Sequence, residues 1–127
     1  MPDPVKVLDG FDKQDQANRV VELLVDGEVL YAVYDCKGRG TGFLGITDRR
    51  LIVRDDGHLK HSKRIVSIPY RQITAVGTGS DYKLIGSSEG SLSVHAGGEE
   101  WDFRFKGDGK TRNAYLRIME HLVPAHP

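Results

Sequence analysis

Ile46-Thr47-Asp48-Arg49-Arg50-Leu51-Ile52-Val53 and Ser67-Ile68-Pro69-Tyr70-Arg71-Gln72-Ile73-Thr74 decide how this chain folds. The first reads as a strand, a tight polar turn and a second strand, because apolar residues flank a run of charged ones. The second reads as a strand end, a corner and a new strand, since Pro69 fixes its own φ and has no N–H for a ladder.

Upstream, Ala17, Val20, Val21 and Leu24 recur at three- and four-residue steps and predict a helix over about residues 12–25. Asp12 is the candidate N-cap, Asp26-Gly27 is the stop, and residues 1–8 read as a loose leader. From Glu28 to Asp35 the period drops to two with apolar groups on both faces, so one face should meet the core and the other a helix. Lys37-Gly38-Arg39-Gly40-Thr41-Gly42 turns the chain into Phe43–Thr47, and Leu51–Arg54 and Lys63–Ile68 follow as strands around the reversal at Asp55-Asp56-Gly57-His58.

Downstream, strands are expected at Ile73–Thr78, Lys83–Ser87, Ser91–Ala96 and Glu100–Lys106. The last alternates most cleanly, with Trp101, Phe103 and Phe105 inward and Asp102, Arg104 and Lys106 outward. After Gly107-Asp108-Gly109, Thr111 should cap a helix over about 111–122, whose apolar stripe is Tyr115, Ile118, Met119 and Leu122. Short antiparallel strands followed by one amphipathic helix suit a partly open barrel whose mouth the helix covers.

The T-D-R-R-L-I and I-P-Y-R-Q-I-T segments, in this order and spacing, resemble those of bacterial pleckstrin-homology-like (PH-like) domains. The resemblance spans roughly residues 9–123. It implies an α+β, mainly β fold: a partly open antiparallel barrel of about seven strands over about 28–106, preceded by one helix and capped by another. It also implies a non-catalytic interaction module, since eukaryotic relatives bind phosphoinositides or proteins and some bacterial ones self-assemble.

The composition agrees with a single domain over residues 1–127. Eighteen basic and eighteen acidic residues give zero formal charge, which argues against broad nucleic-acid binding. The charges are unevenly spread: residues 1–36 carry a net −5, residues 37–71 a net +6 and residues 72–127 a net −1. The basic middle third can pair with the acidic N-terminal third within a molecule or between copies, or face an anionic partner. Cys36 is the only cysteine, which excludes a disulfide framework and a thiolate-rich zinc site, and predicts a small apolar filler. No apolar run reaches the length of a membrane span, and the N-terminus lacks the features of a signal peptide, so a cytoplasmic protein is expected.

Gly38-Arg39-Gly40-Thr41-Gly42 is followed by a strand, not by the helix that a nucleotide phosphate loop needs. It reads as a flexible hairpin loop or as an anion-binding loop flanked by Lys37 and Arg39. Family position adds Arg54 to those two. Lys60, Lys63 and Arg64 form a charged hairpin tip, either solvated or facing a partner. His58 and His61 have only Asp55 and Asp56 nearby, and no serine shows a His-plus-acid arrangement. The expectation is therefore a non-enzyme without cofactor. It binds a protein partner or copies of itself or, alternatively, weakly binds an anionic lipid headgroup or other anion through residues 37–71.

Overall fold

The computed structural model describes residues 6–37, 42–55, 64–82 and 88–124. Eight strands and two helices run in the order β1 (Val7–Phe11), α1 (Gln14–Val21), β2 (Leu30–Cys36), β3 (Gly42–Thr47), β4 (Arg50–Asp55), β5 (Arg64–Pro69), β6 (Ile73–Tyr82), β7 (Ser88–Ala96), β8 (Glu99–Lys106) and α2 (Asp108–Leu122). A single 3-10 turn, Tyr70–Gln72, makes the corner after Pro69.

The strands form a five-stranded sheet in the order β1-β2-β3-β4-β5 and a three-stranded sheet in the order β6-β7-β8. From β2 to β8 every sequential pair within a sheet is antiparallel. The two sheets are joined where Lys37 and Arg104 exchange backbone hydrogen bonds, each 2.9 Å, which draws the end of β2 onto β8. On the other side, β5 passes through the corner into β6.

The core follows the sequence pattern. Phe103 and Phe105 are buried with Leu51, Val53, Ile118 and Cys36, while Trp101 and Tyr115 are partly buried against them. A second, smaller cluster lies outside the barrel, where Ala17 and Val20 of α1 cover Leu30, Val33, Phe43 and Ile52. The two apolar faces of β2 thus meet the core and a helix, as its unbroken apolar run requires. The helices approach closely at two glycines: a Cβ at Gly45 would stand 3.2 Å from the Val20 methyls, and one at Gly90 would collide with Thr111.

Four local expectations are corrected. The leader is ordered at Val7–Phe11, where β1 joins β2 in parallel, so that β1, α1 and β2 form the only crossover among the described residues. Asp12 does not cap α1, whose N-cap is Lys13 without a side-chain bond. Its carboxylate instead accepts the Asp35 amide and pairs with Lys110. α2 begins at Asp108, so Thr111 is a buried residue within the helix and not its cap. β6 runs to Tyr82, four residues beyond the expected end, and Lys83–Ser87 lies outside the described residues.

Phe103 is 2% exposed, so Phe103→Ala should destabilise the chain by about 3–5 kcal/mol, combining lost transfer energy with a cavity. Chemical denaturation checks this, and a change below about 1 kcal/mol would contradict the inward assignment of the strand face.

Candidate functional site

The turn after β3 is organised by Thr47 more than by Asp48. The Thr47 hydroxyl accepts the amides of Arg49 and Arg50, each at 3.0 Å, and lies 2.6 Å from Glu28 Oε2. Asp48 instead holds the start of β2, accepting the Val29 amide at 2.9 Å. The Thr47 carbonyl in turn accepts the Tyr70 hydroxyl, so the two sequence segments that decide the fold meet at one residue.

Glu28 is the centre of this node. Its side chain has no exposed surface, and Arg50 grips it with two hydrogen bonds, Nε to Oε2 and Nη2 to Oε1, both 2.9 Å. The Val25 amide supplies another at 3.0 Å. Burial alone would raise the Glu28 pKa, but the bonds from Arg50, Thr47 and Val25 outweigh it and hold the pKa at about 2. Arg50 also donates to the Leu23 carbonyl at 2.6 Å and to Ser67 Oγ at 3.0 Å. Arg50 of the basic middle third thus pairs with Glu28 of the acidic N-terminal third, a residue beyond the helix predicted over about 12–25.

The node fixes a short segment between α1 and β2 in which Leu24 packs on the outer cluster and three other apolar side chains are exposed. Leu23, Val25 and Val29 are 37%, 53% and 39% exposed, although Glu28 between them is buried. Gly27 makes the turn at φ +81°, with the Arg49 guanidinium 3.3 Å from where its Cβ would stand. The result is a rigid apolar ridge with exposed Asp26 and Arg49 beside it. Nothing in its local pattern marked it, because Leu23 and Val25 continue the helical apolar run.

Of the six predicted site residues, Lys37, Arg54 and Arg64 lie among the described residues. Lys37 is exposed at the end of β2, opposite exposed Arg104, and a directly opposed pair shares one face. Arg54 lies against Gly42, where a Cβ would meet its backbone and side chain. Lys37 thus follows the end of β2, while Arg54 stands on β4 against the first residue of β3. Arg64 is committed elsewhere: its guanidinium bonds Asp55 at 3.1 Å and lies 5.7 Å from the Trp101 ring centre. Arg39, Lys60 and Lys63 lie outside the described residues, as do His58 and His61.

The acidic N-terminal third divides its pairs: Glu28 is held by Arg50, Glu22 and Asp35 lie near Arg19 and Lys13 of the same third, and Asp9 and Asp12 pair with α2. Asp9 bonds Arg117 and Asp12 pairs with Lys110 at 2.8 Å. Toward its C-terminal end, α2 stacks His121 on Tyr70, with ring centres 4.8 Å apart. Among the described residues no helix is long and apolar enough to cross a membrane, and no cluster of His, Cys, Asp or Glu gathers for a metal.

A family model described as a bacterial PH domain matches residues 23–115. Among solved structures, a pleckstrin homology domain from Shewanella amazonensis SB2B is similar at a TM-score of 0.60 and 20% identity, covering 89% of this chain and 100% of that one. A DUF1696 family protein with a pleckstrin-homology domain, from Shewanella loihica PV-4, is similar at 0.53 and 17% identity, covering 87% and 92%. At these identities the likeness concerns the fold. No curated protein matches.

Because the Glu28 pKa in the folded chain lies below its ordinary 4.5, its stabilisation is complete above that value and is lost as pH falls toward about 2. The difference corresponds to roughly 3 kcal/mol. In denaturant titrations, wild type should lose about that much between about pH 5 and about pH 2. Glu28→Gln should flatten most of the dependence and, by leaving Arg50 without its counter-ion, cost about 3–5 kcal/mol at neutral pH.

Proposed function

The chain belongs to the bacterial PH domain family, and from that membership we propose that it is a non-catalytic interaction module that docks a protein surface, a second copy of itself included, on the ridge of Leu23, Val25 and Val29. A PH-like fold supports an interaction role in general. The ridge is the observation that carries the specific reading. Scattered apolar side chains on a surface need no explanation, but here three fall within seven residues. They are held in place by a buried ion pair that is costly to desolvate. An apolar centre beside charged groups is the usual composition of a contact patch. Charge complementarity between the N-terminal and middle thirds has fewer groups to draw on, since Asp9, Asp12 and Glu28 are already paired within the chain.

The runner-up is weak binding of an anionic headgroup or similar anion beside residues 38–41. The observation favouring it is the directly opposed Lys37 and Arg104, since like charges in this position are mutually unfavourable without an anion between them. Each exposed contact near an anionic membrane is worth about 1 kcal/mol, enough for salt-dependent recruitment only.

Light scattering over a concentration series, at low and high salt, tests the first reading. Wild type should assemble with rising concentration and keep its size in high salt, whereas Val25→Asp should remain monomeric with an unchanged melting curve. An assembly that survives Val25→Asp places the contact elsewhere, and one that dissolves in salt is held by charge. For the second reading, vesicles containing anionic lipid should sediment wild type at low salt and release a Lys37→Ala, Arg39→Ala, Arg54→Ala variant. Equal behaviour by the two proteins counts against it.

A further inference from the structure

β1 is held differently from every other strand. It lies outside the residues that match the family. Its register with β2 is interrupted, with Val7 opposite Leu30 but Gly10 opposite Ala32. Leu8 and Phe11 are exposed, and Val7 alone packs on the outer apolar cluster.

One carboxylate provides the attachment that these side chains do not. Asp9 accepts from Arg117 Nε at 2.8 Å, from Arg117 Nη2 at 2.9 Å and from Asn113 Nδ2 at 3.0 Å. The hydrogen bonds from Arg117 hold its carboxyl below the usual range. The receiving groups are themselves set by the barrel. The Arg117 guanidinium lies 4.2 Å from the centre of the Tyr31 ring, and Asn113 also donates to the Tyr34 hydroxyl at 2.7 Å. A strand edge on β2 and a planar fork on α2 therefore make a receptor for an extended segment with a carboxylate in register, whether or not β1 fills it.

We infer that this groove also takes the β1 strand of a second copy, giving a reciprocally exchanged dimer in which Asp9 of each chain is held by Arg117 of the other. Exchange replaces each contact of β1 with an identical one, so it is opposed mainly by the entropy of association. Asp12 moves with β1 in such an exchange, its bonds to the Val33 carbonyl, the Asp35 amide and Lys110 being exchanged as well, so the hinge is Lys13. Only Asp12 and Lys13 separate β1 from α1, and Lys13 is extended at φ −130°, ψ 130°. The occupant is a second copy because β1 matches the groove in register and charge. This inference rests on the interaction-module reading and names one partner and one contact for it.

Complementary charge reversal tests it. Asp9→Arg and Arg117→Asp each set like charges face to face within their own groove, and each alone should be monomeric. Mixed in equal amounts, the introduced arginine of one meets the introduced aspartate of the other, and a native Asp9–Arg117 pair re-forms in the second groove. Light scattering should show association at least about tenfold tighter than for either variant alone. The double variant in one chain should behave as wild type. A second arm does not depend on charge reversal: Asp9→Cys copies mixed with Asn113→Cys copies should oxidise to a linked heterodimer, Cys36 being buried. Variants that stay monomeric when mixed, or cysteine copies that fail to link, would overturn the exchange. Wild-type assembly that persists unchanged in Asp9→Arg would also overturn it, while leaving the ridge reading intact.

Discussion

A carboxylate taken wholly out of water must be surrounded by donors, and Glu28 meets that demand from elements far apart in the chain. Val25, Thr47 and Arg50 supply its hydrogen bonds, and Arg50 spends its remaining donors on Leu23 and Ser67. The link between α1 and β2 is thereby fixed against the β3–β4 turn and against β5. Thr47 passes the constraint on through its carbonyl to Tyr70, whose ring stacks on His121 of α2. Removing one partner strands a buried charge, so the node acts as a unit and not as a set of separate bonds.

Much of the architecture is legible because strand period is a local property. Trp101, Phe103 and Phe105 fall on one face whatever the rest of the chain does, and Pro69 ends its strand through its own ring. Capping is less legible. Asp12 has the right type and position to start a helix, but the Asp35 amide and Lys110 claim its carboxylate, and both are remote in sequence. β1 was hidden for a related reason. Val7-Leu8-Asp9-Gly10-Phe11 does not alternate cleanly, and its main anchor, Arg117, lies 108 residues away.

The candidate site shows the same division. Lys37 follows the end of β2 and Arg54 packs on Gly42 from the neighbouring β4, but Arg64 is taken by Asp55 across the β4–β5 ladder and by Trp101. The charge asymmetry along the chain allows the first third to pair with the middle third, as Glu28 does with Arg50, but Asp9 and Asp12 find their partners on α2. α2 lies beside β1 and β2, so Lys110 and Arg117 reach Asp12 and Asp9 before any residue of the middle third does. Net charge per segment carries no information about which surfaces the topology brings together.

The N-terminal additions also divide by necessity. The outer face of the barrel carries Leu30, Val33, Phe43 and Ile52, which would be exposed apolar surface without a cover. α1 supplies the cover with Ala17 and Val20, and the close approach at Gly45 allows it to lie flat. That burial stabilises α1 in place. β1 buries far less and covers no comparable patch, so its contribution is mainly to occupy the β2 edge and the Arg117 fork. Among the described residues β1 touches the outer cluster only through Val7 and the inner core not at all, so the stability of both clusters rests mainly on other elements.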